Sequence, residues 1–326
     1  MIMPDLSYRD AINLALAEEM RRDPKVLLMG EDVAAPGGIF KITQGLLDEF
    51  GPERVRDTPI SETAFVGAAL GLAVTGYRPV VELMFSDFLG VCYDQIVNSI
   101  AKHRFMSGGS MAVPLVVRMI GGGGVRFGAQ HSQTGESWLL PIAGLKIVAA
   151  ASPAEAHGLL KAAIRDDNPV VVIEHKGLLG EKGPVREGEA GLASLDGPAV
   201  VRPGNAATIV ASLAMVPRAL AAAEILAGEG FEAEIIDLRV LRPLNVDPIA
   251  ESLARTGRLV TVEEQHRLGG WGAQVVAEAV ERDPSVLKAP PRRVTLPEHP
   301  LPFSPQLEDA ARPSADRIAE VVRGLL

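Results

Sequence analysis

Four segments of this sequence set residues capable of chemistry at the ends of apolar runs. Gly30-Glu31-Asp32 places two acids directly after Val26-Leu27-Leu28-Met29. That pair is either a solvated turn or a pair of site carboxylates, because loops lie mostly at the surface and also carry much of protein function. Asp57-Thr58-Pro59-Ile60-Ser61-Glu62 puts an acid into the first turn of an otherwise apolar helix. There Glu62 either complements the helix dipole, worth roughly 0.3–1 kcal/mol, or is a partly buried carboxylate that exchanges a proton with a ligand.

The third segment runs from Gly121-Gly122-Gly123-Gly124 to Gln130-His131-Ser132-Gln133. Consecutive glycines cost conformational entropy, which suits a flexible lid, close approach to a ligand, or a plain surface loop. It is no Walker loop, because no Gly-Lys-Ser/Thr follows. His131 is a candidate general acid or base, since imidazoles titrate near neutral pH; the alternative is an exposed or structural histidine. The fourth, Glu263-Glu264-Gln265-His266 with Gly269-Gly270-Trp271-Gly272, lacks the Gly-x-Gly-x-x-Gly dinucleotide fingerprint and reads as packing and interface architecture. Phe85 and Phe88 read as core more readily than as a ligand platform, and Cys92 as a small buried hydrophobe.

These residues need a scaffold, and hydrophobic patterning supplies one. Ser7-Tyr8-Arg9-Asp10 resembles a capping box opening a helix to about Arg22, and Ser152-Pro153-Ala154-Glu155 opens another. Ser61 is expected to cap a helix ending at Gly76, apolar all round and therefore buried. Short apolar strands near residues 26–29, 55, 80–83, 115–119, 146–149 and 170–174 alternate with helices, including a single one over 85–105. This alternation predicts a parallel sheet covered on both faces. From Lys176 to about Asn205 the pattern dissolves into Gly, Glu, Lys and Pro, and residues 186–205 read as a linker between domains at 1–185 and 206–326. The smaller second domain repeats the α/β alternation and ends in a helix from Ala315.

Composition narrows the field. The 326 residues suit two domains. A net charge of −9 offers no grip on a phosphate backbone, so nucleic acid is not expected as a partner. The one cysteine forms no intramolecular disulfide and fits a reducing, cytoplasmic setting. Met1-Ile2-Met3-Pro4-Asp5 has neither the basic stretch nor the apolar run of a signal peptide. The apolar stretch 64–74 falls short of the about 20 residues needed to span a bilayer.

Five motifs in order resemble one family: Gly30-Glu31-Asp32-Val33-Ala34 with Phe40-Lys41-Ile42-Thr43, the Asp57 to Glu62 segment, Asp94-Gln95-Ile96-Val97-Asn98, His131-Ser132-Gln133, and Ala163-Ile164-Arg165-Asp166-Asp167-Asn168-Pro169. The family is the beta subunit of the thiamine-diphosphate-dependent decarboxylase component of 2-oxo acid dehydrogenase complexes. The resemblance spans essentially the whole chain. It implies a transketolase-like pyrimidine-binding domain followed by a transketolase C-terminal-like domain. It further implies that Glu62 hydrogen-bonds a pyrimidine nitrogen of the cofactor, that Phe88 and Ile60 line the same pocket, and that Glu31 links paired sites by proton exchange. By the same resemblance His131 faces substrate and lipoyl group, and backbone oxygens of Leu115, Ala163, Ile164, Asp166 and Asn168 form a structural potassium site, oxygen ligands suiting a hard cation.

The family's Gly-Asp-Gly motif, which holds diphosphate and magnesium, does not occur in this chain. The resemblance therefore implies an alpha subunit as obligate partner, in a heterotetramer of two alpha and two beta chains with magnesium on alpha. A lipoyl-bearing acyltransferase is the downstream partner, and pyruvate, a branched-chain 2-oxo acid or acetoin the substrate, with a weak lean to pyruvate or acetoin. The alternatives are a split transketolase-like sugar enzyme and a non-catalytic binding subunit. His131-Ser132-Gln133 favours the oxo-acid family over the first, and the joint presence of Glu62, Phe88 and His131 speaks against the second.

Overall fold

The computed structural model describes residues 3–326. Met1 and Ile2, part of the N-terminal segment read above, lie outside the described residues. The chain forms two units, Met1–Gly121 with Pro141–Leu195, and Gly122–Leu140 with Asp196–Leu326.

In the first unit, strands β1 (Val26–Gly30), β2 (Val55–Asp57), β3 (Arg78–Leu83), β4 (Val116–Gly121), β5 (Lys146–Ala149) and β6 (Val170–His175) run parallel in the order β5-β6-β4-β3-β1-β2. Their β-branched runs are buried, as parallel strands with helices on their faces require. Helix α1 (Tyr8–Arg22) starts where the Ser7 side chain accepts the Asp10 N–H, and α3 (Pro153–Arg165) where Ser152 accepts that of Glu155. The two helices pack together, tied by Arg165 to Glu19 at 2.7 Å.

Two local expectations differ from the structure. Helix α2 (Glu62–Val74) begins after Ser61, but the Ser61 side chain makes no cap bond; its backbone is extended, with φ −164°, and its N–H goes to the Glu31 carboxyl. One side of this apolar helix is covered, and Ala64, Ala68 and Gly71 on the other are exposed in the single chain. Residues 85–105 are not one helix. They divide into a 3₁₀ turn (Ser86–Phe88), a helix (Leu89–Asp94), a π-helical stretch (Gln95–Ile100) and a second helix (Ala101–Met106). Cys92 leaves helical geometry at φ −108°, ψ 16°, and π-type insertions of this kind gather at functional sites.

In the second unit, β7 (Ala199–Arg202), β8 (Ala207–Ala211), β9 (Ala233–Asp237), β10 (Leu259–His266) and β11 (Arg292–Leu296) take the order β11-β10-β8-β9-β7, with only β7 antiparallel to its neighbour. Helices α4 (Met215–Ala227), α5 (Asp247–Thr256), α6 (Gly272–Arg282), α7 (Pro305–Ala311) and α8 (Ala315–Arg323) belong to the same unit. Strand β7 lies within the expected linker 186–205, and the loop 122–140, expected in the first domain, groups with the second unit. Contacts with β10 and α7, more than 120 residues away, account for that assignment. Among the described residues no helix is long and apolar enough to cross a membrane.

Candidate active site

Open parallel sheets bind ligands beyond the carboxyl ends of their strands, and the first unit gathers its candidate residues there. Glu31 follows β1, the Asp57 to Glu62 segment joins β2 to α2, and Phe88 follows β3. The two acids after β1 separate: Asp32 is exposed, as a solvated turn would have it, whereas Glu31 is buried. Asp57 Oδ1 accepts the Ala34 N–H at 2.7 Å, clasping the loops after β1 and β2 together. Glu31 accepts the Ser61 N–H, and burial, the Glu62 carboxylate and Asp32 together hold its carboxyl above the ordinary range.

Glu62 is buried in the first turn of α2, while Ile60, two residues before it, is 87% exposed. Burial and then the Glu62 charge push the Cys92 thiol up to about 12, and its Sγ lies 3.8 Å from the Phe88 carbonyl. Cys92 is thus the buried hydrophobe expected. The half-buried Phe88 meets Phe85 edge-on at 5.5 Å; Phe85 in turn meets Phe40 at 5.7 Å and carries Lys176 Nζ 5.1 Å above its ring. Phe85 is therefore core, and Phe88 stands where that core reaches the Glu62 end of the sheet.

Sequence reasoning missed a charged group below this surface. Arg118 on β4, fully buried, reaches Glu174 on β6 and Glu82 on β3. The available signal was one charge within each of the apolar runs 80–83, 115–119 and 170–174.

Of the five residues expected to ligate potassium, Ala163 and Ile164 lie in the last turn of α3, Asp166 and Asn168 follow it, and Leu115 precedes β4. Arg78 Nη1 donates to the carbonyls of Ile164 and Asp166, each at 3.1 Å, the Ala163 carbonyl accepts the Asp166 N–H, and that of Leu115 accepts the Val170 N–H. Arg104 holds the Asn168 side chain at 2.7 Å, and Lys146 pairs with Asp166. Carbonyls at a helix C-terminus attract cations, so the oxygen set suits a hard ion, and a guanidinium already shares two of its members.

His131 is carried by the second unit. Its loop is closed by Gly122 N–H to the Gln133 carbonyl at 3.0 Å, and its own N–H turns back to the Gly128 carbonyl. Gly123 and Gly124 of the glycine run have close neighbours rather than open space around them. Gly122 and Gly124 sit at φ +88° and +94°, and a Cβ on Gly124 would lie 2.3 Å from Arg312 Nη1. The Glu263 segment is architecture, as read: Glu263 is buried, accepts the Gly272 N–H at 2.9 Å and pairs with Arg293.

The family description "Transketolase, pyrimidine binding domain" matches residues 5–182, and "Transketolase, C-terminal domain" matches 198–318. An acetoin:2,6-dichlorophenolindophenol oxidoreductase subunit beta of Cupriavidus necator is 45% identical over 98% of this chain and 96% of its own. A mitochondrial pyruvate dehydrogenase E1 component subunit beta-1 of Arabidopsis thaliana is also 45% identical, over 98% and 88%. The chain belongs to the beta subunits of 2-oxo acid dehydrogenases. A solved split-gene transketolase, described as an inactive beta4 tetramer, covers 98% of both chains with TM-score 0.79 at 24% identity, which shows the fold.

Membership brings dependence on thiamine diphosphate, and this beta subunit has residues that fit it. Glu31 Oε1 and Thr58 Oγ1 are buried without a hydrogen-bond partner. Such orphaned atoms are costly unless a ligand or another chain satisfies them. Glu62, Phe88 and Ile60 border the same end of the sheet, offering an acid, an aromatic edge and an exposed aliphatic surface.

Proposed function

We propose that this chain is the pyrimidine-binding half of a thiamine-diphosphate-dependent enzyme that decarboxylates pyruvate or a related 2-oxo acid, or cleaves acetoin, and that it is active only with an alpha subunit. The observation that carries this reading is the buried Glu62 at the start of α2, beside the buried Glu31, whose carboxyl is held above the ordinary range, and the exposed Ile60. The cofactor, when bound, supplies an electron sink for breaking the bond at the 2-oxo carbon. Glu62 would hydrogen-bond the pyrimidine nitrogen, Phe88 and Ile60 would orient the ring, and Glu31, whose carboxyl burial holds above the ordinary range, would exchange protons beside Glu62. His131 donates or orients a proton as the acyl unit passes to a lipoyl group on the acyltransferase.

The missing Gly-Asp-Gly motif supports an alpha subunit that holds diphosphate and magnesium, in a heterotetramer of two alpha and two beta chains. The exposed apolar residues Ile60, Val91, Phe105 and Met106, with Ala64, Ala68 and Gly71 of α2, supply a surface for it. Potassium binds the carbonyl cluster of Leu115, Ala163, Ile164, Asp166 and Asn168 beside Arg78. The lone, buried cysteine suits a cytoplasmic setting.

The test is coexpression with an alpha subunit, with thiamine diphosphate and magnesium, and dye reduction assayed on pyruvate, acetoin and 2-oxoisovalerate. Turnover of pyruvate or acetoin is expected by the mixture and by neither chain alone. Turnover by the isolated chain, or a stable complex inactive on all three, would overturn the reading.

A further inference from the structure

The loop bearing His131 is fastened to the second unit along both of its arms. On the incoming arm, consecutive backbone amides meet two different carboxylates: Gly123 N–H donates to Glu264 Oε1 at 2.6 Å and Gly124 N–H to Glu308 Oε1 at 2.7 Å. Glu264 and Glu308 are 5% and 0% exposed, which makes these charge-assisted bonds in a low-dielectric setting. The backbone runs close here: a Cβ on Gly123 would lie 2.6 Å from Leu301 Cδ1 and 3.1 and 3.2 Å from the Glu308 and Glu264 carboxylates, so a larger residue would push these side chains aside. Two residues on, Arg126 bonds the other Glu308 oxygen at 2.5 Å and forks onto Asp309 at 2.7 and 2.8 Å.

On the outgoing arm, Thr134 Oγ1 donates to the Glu264 carbonyl at 3.2 Å, and Gln265 Nε2 donates to Glu136 Oε2 at 2.5 Å and to the Thr134 carbonyl at 3.4 Å. Adjacent residues of β10 therefore hold both arms, with Arg312 bracing Glu264 from behind at 2.9 Å. The tip between the arms is not packed solidly. A cavity of about 290 Å³ lies against Gln130 and Ser132, the neighbours of His131, and is walled by Gln265, His266, Leu296 and Leu301. Ser132 Oγ, buried in that wall, has no hydrogen-bond partner. A void on one side removes packing contacts from the segment, so the clamps contribute to its position.

We propose that Glu264 and Glu308, with Arg126, are positioning residues that set where His131 stands during acyl transfer. This rests on the role given to His131 above. Misplacement of a reacting group by about 1 Å can cost about 100-fold, so the clamps matter although none touches substrate.

The coexpressed complex allows two rates to be compared, acylation of a lipoyl domain and dye-coupled turnover. Arg126→Gln, on the partly exposed side, and Glu308→Gln are expected to lower the ratio of the first to the second by about tenfold or more. His131→Ala supplies the reference loss. In that background either clamp substitution should cost less than about twofold further, since residues acting as one unit are not additive. Clamp variants with an undiminished ratio beside a defective His131→Ala would overturn the clamp alone. A proportional fall of both rates would also overturn it, as general structural damage. Normal acylation by His131→Ala would overturn the role of His131 and the clamp with it.

Discussion

Arg118 grips Glu174 through two parallel hydrogen bonds of 2.8 Å, with both side chains buried between strands of the same sheet. Glu82 takes a third at 2.6 Å from Nη1, so one cation answers two carboxylates beneath the site. Removing the cation would leave two buried charges unpaired. Arg118→Met should therefore destabilise the chain by about 3–5 kcal/mol, measured by denaturant unfolding, and a loss below about 1 kcal/mol would show that the carboxylates find water or protons instead.

Glu62→Gln separates chemistry from stability. The substitution keeps the volume and removes one of two like charges that raise the Glu31 carboxyl. In the coexpressed complex, decarboxylation should fall by about 100-fold or more, with a melting temperature equal to or above that of the parent. Full turnover would remove Glu62 from the mechanism.

Cys92 should be inert. Its thiol is fully buried and pushed up to about 12, first by burial and then by the Glu62 charge, and the thiolate is the reactive form. Ellman's reagent at pH 8 should find no thiol in the folded chain and one after denaturation. Rapid labelling of the folded chain would mean that the Leu89–Asp94 turn opens.

What could be read in the sequence was what local chemistry decides. Ser7 and Ser152 cap their helices as their own neighbours require, and the apolar runs became parallel strands. Ser61 did not cap, because the partner of its N–H is Glu31, thirty positions earlier. Gly121 to Gly124 left a lid, close approach to a ligand and a surface loop all open for the same reason: the carboxylates that bind the Gly123 and Gly124 amides lie at 264 and 308. Glu62 stood out as an acid entering an apolar helix. Arg118, equally anomalous in its strand, needed the register of β3, β4 and β6 to acquire partners. Hydrophobic periodicity over 85–105 averaged across the π-helical stretch and concealed the break at Cys92.

The final expectation concerns pH. Glu136, buried in the outgoing arm of the His131 loop, is pushed up to about 7, chiefly by burial, with Glu264 and Glu263 adding repulsion against the hydrogen bond from Thr134. Below its ordinary value of 4.5 the carboxyl is neutral in the folded and unfolded chains alike. Between 4.5 and about 7 the unfolded chain releases the proton while the folded chain keeps it, so rising pH favours unfolding across that window. Above about 7 both forms are ionised and the penalty is constant. Glu136→Gln, which can still accept from Gln265, removes this term. Its melting temperature relative to the parent should climb from pH 5 to 7 and then level off; a difference independent of pH would show that Glu136 stays ionised in the folded chain.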